Sequence, residues 1–175
     1  IFLSSSNVYE EKNKIKAIKE KDSTKPKNYY GQNKLIIEKY LKKLEFDNMI
    51  ILRLFNIIGI FNPSFKIFKF KQKNYQRLIF KIIENISKKK ITNINFMKIK
   101  NKIIFPSRDF ISVKTLSIFI LKLLIKIKLN NKINTIFNVG SGVATPINKI
   151  TKIIKDQYKI EVSFNYTLIS KKELN

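Results

Sequence analysis

The sequence contains no cysteine, no histidine and no tryptophan. Without thiols there can be no disulfide, no thiolate nucleophile and no Cys/His zinc site; without imidazole there can be no Ser-His-Asp triad. Glycine is scarce, with only Gly31, Gly59, Gly140 and Gly142 among 175 residues. None of them builds a G-x-G-x-x-G turn, so the phosphate cradle that follows the first strand of a dinucleotide-binding fold is missing from this sequence. Acidic residues are few, 12 against 36 basic, and the formal net charge is +24. Arginine is nearly absent from that basic set, being confined to Arg53, Arg77 and Arg108. Nucleic-acid binders draw on the arginine fork, so a nucleic-acid partner is not expected here. The lysines are spread along the whole chain together with Ile and Asn, as A/T-rich codons would produce. No long apolar run is present either. The most apolar stretch, Leu116 to Ile127, is interrupted by Lys122 and Lys126 and falls short of the roughly 20 residues a bilayer requires. It reads as a buried amphipathic helix, and no membrane association is expected.

What is present alternates between two periods. Ile1 to Ser4 is a short apolar run ending in hydroxyl residues, the pattern of a buried parallel strand. Glu10 to Asn28 is polar, contains Pro26, and reads as a surface loop. Tyr30 to Leu44 carries Leu35, Ile36, Tyr40, Leu41 and Leu44 at helical spacing, and Met49 to Phe55 is a second buried strand. Tyr75 to Ile86 has helical spacing again. Strand-like segments follow near Ile91–Phe96, Ile103–Phe105 and Phe110–Val113, with further strands at Thr135–Val139 and Ile160–Tyr166. Thr145-Pro146 reads as a helix start, the hydroxyl capping and the proline in the first turn, with Ile147, Ile150, Ile153 and Ile154 as the buried face. Strands and helices taking turns predict an α/β fold. The chain opens on Ile with residues that already look like a central strand, so it is expected to be the later portion of a longer protein.

Tyr30 and Lys34 stand four apart at the start of the predicted helix and therefore share a face. A tyrosine is ordinarily a poor base at neutral pH, with a pKa of about 10. A lysine ammonium held nearby favours the phenolate and lowers that value. Such a pair is the elementary unit of a proton-transfer site, although in a lysine-rich chain the spacing alone also arises as a solvated surface pair.

The surrounding blocks are more specific: S-S-x-x-V-Y from Ser4, Y-G-x-x-K-L-x-x-E from Tyr30, L-R-x-F-N-x-x-G from Leu52, R-D-F-I-x-V from Arg108 and F-N-x-G-S-G from Phe137. In this order they resemble the extended short-chain dehydrogenase/reductase superfamily, and within it the nucleotide-sugar epimerases of the UDP-glucose 4-epimerase type. The resemblance implies a partial Rossmann-like parallel sheet with helices plus a small C-terminal substrate-binding domain. Residues 1–59 would belong to the NAD-binding domain and 60–175 mainly to the substrate domain, with 103–139 partly returning to the Rossmann sheet.

The same resemblance implies roles. Alignment on Val8-Tyr9 puts the active-site hydroxyl at Ser5, twenty-five residues before Tyr30, where it would bond the sugar's 4-hydroxyl and the tyrosine. Tyr30 would act as base and then acid, and Lys34 would hold the nicotinamide ribose. Phe55 would pack near the nicotinamide, Asn56 would touch the sugar nucleotide, and Arg108 would pair with the diphosphate. The implied cofactor is NAD, which takes a hydride from C4 of the sugar and returns it to the other face of a 4-keto intermediate. The implied partners are a UDP-hexose and a second copy of the chain, in the cytoplasm, with pairing through helices that include the one beginning near Tyr30.

The related dehydratases place an acidic pair after the hydroxyl, where this sequence has Ser6 and Asn7, so water elimination is not expected. Other departures from the family pattern are Glu10 for a glycine, Tyr29 upstream of the tyrosine, Ser112 for a histidine and Gln76-Arg77 for an asparagine pair. The segment Ser170–Glu173 bears only slight likeness to a phosphate-binding stretch. Three functions remain open: a 4-epimerase, another oxidoreductase of the superfamily such as a 4-keto sugar reductase, and a non-catalytic remnant or basic binding module. With the Gly-rich half missing from the sequence, the isolated chain is expected to be inactive.

Overall fold

A computed structural model describes residues 1–10, 17–44, 46–59, 79, 82, 85, 91–99, 102–129, 133–158 and 164–168. Strand β1 (Phe2–Ser5) runs into a 3-10 turn at Ser6–Val8, capped where Ser5 Oγ accepts from the amide of Asn7 at 3.2 Å. Helix α1 (Tyr29–Leu41) starts where the Asn28 side chain accepts from the Gly31 amide at 2.8 Å, satisfying one of the orphan donors of the first turn. Strands β2 (Met49–Leu54), β3 (Asn56–Ile58), β4 (Thr92–Ile99), β5 (Lys102–Ile104) and β6 (Ser107–Ser112) follow. Helix α2 (Val113–Leu129) begins under Ser112, whose Oγ accepts from the Thr115 amide at 3.0 Å. The chain continues through β7 (Asn134–Val139), β8 (Ala144–Pro146), α3 (Ile147–Tyr158) and β9 (Phe164–Leu168). The expected α/β class is what the fold shows.

The chain divides into two compact units, 1–60 with 109–143, and 61–108 with 144–175. In the first, β1, β2 and β7 form a parallel sheet in that order, with Ser5 opposite Leu54 and Leu54 opposite Val139. The even residues of β2, Ile50, Leu52 and Leu54, point to one face and pack with Val139, Ile111, Leu116 and Leu123 of the core under α2. The odd residue Arg53 points to the other face, where Glu38 of α1 meets it. Helices on both faces explain why β2 reads as a nearly unbroken apolar run. Ile50, Ile51 and Leu52 are almost fully buried, and each such side chain contributes about 1.5–3 kcal/mol. Beside this sheet β3 pairs in parallel with β6.

In the second unit β4 pairs antiparallel with β5 and parallel with β9. Ile82, Ile94, Ile147 and Thr151 are buried there, and the rings of Phe96 and Phe105 lie 5.9 Å apart.

Three local expectations are corrected. In α1 the buried positions are Gly31 and Glu38, while Ile36 and Tyr40 are exposed, so the face against the sheet is partly polar. Helix α2 buries Leu116 and Leu123 but exposes Ile118, Leu121, Leu124 and Ile125; it is covered on one side only. Thr145-Pro146 belongs to β8, α3 starts one residue later with the Ile147 amide bonded to Pro106 O at 3.0 Å, and Ile153 is exposed. The helical spacing of Tyr75 to Ile86 falls largely outside the described residues; within it Ile79, Ile82 and Asn85 are helical. No described helix is long and apolar enough to cross a membrane.

Candidate active site

Ser5, Phe55 and Gly140 stand at or just beyond the carboxyl ends of three adjacent parallel strands, the edge at which open α/β sheets bind ligands. Alternation along β1 sends Phe2 and Ser4 toward α1 and Ser5 to the opposite face. Ser5 is buried apart from a small accessible fraction, and its hydroxyl is oriented by the Asn7 amide. Close approach at the next contact depends on glycine: a Cβ on Gly31 would run into the carbonyl of Asn7 and stand 2.9 Å from Pro26 Cβ. The first turn of α1 therefore lies directly on the turn that leaves Ser5.

From that turn Tyr30 is 51% exposed, its ring open to solvent. Lys34 Nζ lies 5.8 Å from the centroid of the Tyr30 ring and 4.9 Å from that of Phe2, and donates to Leu3 O at 2.8 Å. Ser5, Tyr30 and Lys34 thus occupy one end of one unit, on β1 and the first two turns of α1.

Phe55 is half-buried and its amide donates to Val139 O at 3.0 Å, which ties the end of β2 to the end of β7. Asn56 Nδ2 donates to Asp109 O at 3.0 Å, so its side chain is engaged inside the protein. Asp109 in turn accepts from the Ser141 amide and hydroxyl, both at 2.6 Å, and from the Gly142 amide at 2.9 Å. The amides of this glycine turn already hold an anion, the protein's own carboxylate, and Gly140 lies so close to it that a Cβ would collide. Arg108 belongs to the second unit, is exposed, and donates to Ser107 O at 3.0 Å.

Sequence reasoning missed a buried polar row beneath the trio. Ser4, Arg53 and Asn138 are register partners across β1, β2 and β7 and share the face under α1. Arg53 grips Glu38 through Nη2 to Oε2 at 2.7 Å and Nε to Oε1 at 3.1 Å, and Ser4 Oγ donates to Glu38 Oε1 at 2.5 Å. Arg53 Nη1 donates to Tyr9 Oη at 2.9 Å, and Tyr9 donates to Asn138 Oδ1 at 2.5 Å. Asn138 reaches the loop before α1, donating to Ile18 O at 2.9 Å from its side chain and to Glu20 Oε1 at 2.9 Å from its amide. Burial pushes the Tyr9 phenol up despite the Arg53 guanidinium beside it. For Arg53 burial works against the charge, but hydrogen bonds to Glu38 and Tyr9 outweigh it and the pKa rises. The Asn138 amide lowers the Glu20 carboxyl. Among the described residues every buried side-chain nitrogen and oxygen has a partner.

Comparison with known proteins decides the relationship. Residues 1–140 match the model of the NAD dependent epimerase/dehydratase family. The chain belongs to that family. A search of the curated proteins finds no match. Among solved structures, the chain is similar to UDP-N-acetylglucosamine 4-epimerase from Methanobrevibacter ruminantium M1, with 27% identity and a TM-score of 0.71 over 97% of this chain and 50% of that one. It is also similar in fold to UDP-glucose-4-epimerase from Stenotrophomonas maltophila, with bound NAD (22% identity, TM-score 0.80, 97% of this chain and 51% of that one). UDP-glucose 4-epimerase from Brucella ovis in complex with NAD gives 22% identity and a TM-score of 0.79 over 97% of this chain and 52% of that one. The chain therefore spans about half the length of these structures.

That family is NAD-dependent, and the chain has its Rossmann-like fold. The polar row had one signal in the sequence, an arginine inside an otherwise apolar strand, which cannot be buried without an acceptor. Glu38, two steps of four beyond Tyr30 on α1, is that acceptor.

Proposed function

We propose that this epimerase-family chain carries the proton-transfer half of a nucleotide-sugar 4-epimerase site, with a UDP-hexose as substrate. The observation that supports it most is the placement of Tyr30 and Lys34 on one stripe of α1, against the strand end that bears Ser5. Ser5 would accept or donate a hydrogen bond at the sugar's 4-hydroxyl. Tyr30 would take the hydroxyl proton through its phenolic oxygen and later return it. Lys34 would hold the phenolate by charge and, with Tyr30, bind the nicotinamide ribose. Bound NAD supplies the acceptor and donor of the hydride. Phe55 would wall the nicotinamide, Asn56 would meet the sugar nucleotide, and Arg108 the diphosphate. Residues 1–59 would then belong to the NAD domain and 60–175 mainly to the substrate domain, with 103–139 partly shared.

Ser5, Tyr30 and Lys34 would serve the nicotinamide end of NAD, whereas the amides of Ser141 and Gly142, bonded to Asp109, are not offered to its pyrophosphate. The chain alone is therefore proposed to be inactive. Supplying an NAD-binding half from an epimerase relative should restore NAD binding and inversion at C4 of UDP-glucose. Oxidation or reduction without inversion would favour a 4-keto sugar reductase instead, and no nucleotide-sugar chemistry at all would contradict the proposal. The reading extends to a homodimer in the cytoplasm, supported by the exposed Ile36, Ile37 and Tyr40 on α1. Sedimentation should show a dimer that Tyr40→Lys weakens; a strict monomer at all concentrations would contradict it.

A further inference from the structure

Tyr30, Lys34 and Glu38 are spaced four apart along α1, so they form one slowly turning stripe. Glu38 lies about 6 Å along the axis from Lys34 and about 12 Å from Tyr30. The stripe's far end is buried and its near end reaches solvent. Glu38 is 1% exposed and held from three directions, by Arg53 Nη2, by Arg53 Nε and by Ser4 Oγ. Tyr30 is open to solvent, and the Lys34 ammonium donates to Leu3 O at 2.8 Å.

The donors that fix Glu38 are themselves tied to the strand that carries Ser5. Ser4 is its immediate neighbour on β1, and Arg53 is the register partner of Ser4 on β2. A carboxylate gripped along two edges by a guanidinium tolerates little rotation, unlike an apolar contact, which is non-directional. Rotation of α1 about its axis, or a slide along it, would break these bonds first and displace the Tyr30–Lys34 pair relative to Ser5.

We propose that Glu38 is a positioning residue: its carboxylate, clamped by Arg53 and Ser4, fixes the rotation and height of α1 and so sets Tyr30 and Lys34 at the strand end bearing Ser5. This rests on the assignment of Tyr30 and Lys34 as the proton-transfer pair. A buried ion pair adds little net stability over an apolar pair of similar volume, so the clamp's value is directional.

The test separates geometry from activity. In the chain carrying 13C-labelled phenylalanine rings, Lys34→Met should move the Phe2 resonance, because the ammonium on α1 sits 4.9 Å from the centroid of that ring on β1. In Glu38→Leu with Arg53→Met, the same Lys34→Met shift should shrink to less than about half, as α1 drifts from β1. A full-sized shift in that folded variant would overturn the proposal. Should the apolar pair not fold, Glu38→Gln decides by the same measure, a reduced shift supporting the clamp and an unchanged one contradicting it. With an NAD-binding half supplied, Glu38→Gln should lower kcat by about tenfold while KM changes by less than about twofold. Unchanged kcat per folded chain would count against positioning. An inactive parent would sink the functional reading, while the ring shift still decides the clamp.

Discussion

At the scale of single residues, the most consequential side chain is Arg53. Its removal leaves Glu38 as a buried, uncompensated carboxylate, so Arg53→Ala should cost about 3–5 kcal/mol in denaturant unfolding, whereas Glu38→Leu with Arg53→Met should cost far less. Equal losses in the two variants would mean that packing, not charge, dominates the row. The pH limits follow from the same network. Tyr9 has a raised folded pKa, so its contribution is complete below the ordinary tyrosine value of 10.0 and is lost as pH climbs through the folded value. Glu20 has a lowered folded pKa, so its contribution is present above 4.5 and is lost as pH falls through the folded value. The thermal midpoint should therefore decline on both sides of that window, and Tyr9→Phe should flatten the alkaline limb. Ser5, Tyr30 and Lys34 were legible in the sequence as motif positions. The partnership of Ser4, Glu38, Arg53, Tyr9 and Asn138 was not, since it depends on the register of three strands distant in the chain.

At the scale of elements, α1 shows where sequence patterning succeeds and fails. Its existence, and a start at Tyr30 one residue after the observed Tyr29, followed from helical spacing. Its buried face did not, because Ile36 and Tyr40 carry the apolar repeat while Gly31 and Glu38 carry the contacts. Gly31 is needed for its lack of a side chain, not for backbone freedom. Gly31→Ala should push α1 off the turn at Asn7 and destabilise the fold by about 1–3 kcal/mol, read by thermal or denaturant unfolding. A neutral Gly31→Ala would mean that the helix and turn yield easily. The Thr145-Pro146 helix start failed for a comparable reason. Local cap chemistry pointed to a helix, but the backbone there is drawn into β8 and the first helical amide finds Pro106 O.

At the scale of the molecule, the alternation of strands and helices was enough to indicate an α/β fold, since helices on both faces leave β2 apolar throughout apart from Arg53. Periodicity reports only local elements, and so it could not tell which unit each segment joins. The chain leaves the first unit after Ile60 and re-enters it at Asp109, whose carboxylate then fastens the turn from which the chain departs again after Val143. The amides of Ser141 and Gly142 are thereby used within the unit. The central claim is that Tyr30 performs proton transfer at a sugar's C4. Its most direct test is C4 inversion of UDP-glucose by the chain joined to an NAD-binding half, with and without Tyr30→Phe. The account predicts that inversion appears in the parent and falls by about 10²–10⁴-fold in the variant, with NAD still bound. Inversion that persists undiminished in Tyr30→Phe would contradict it.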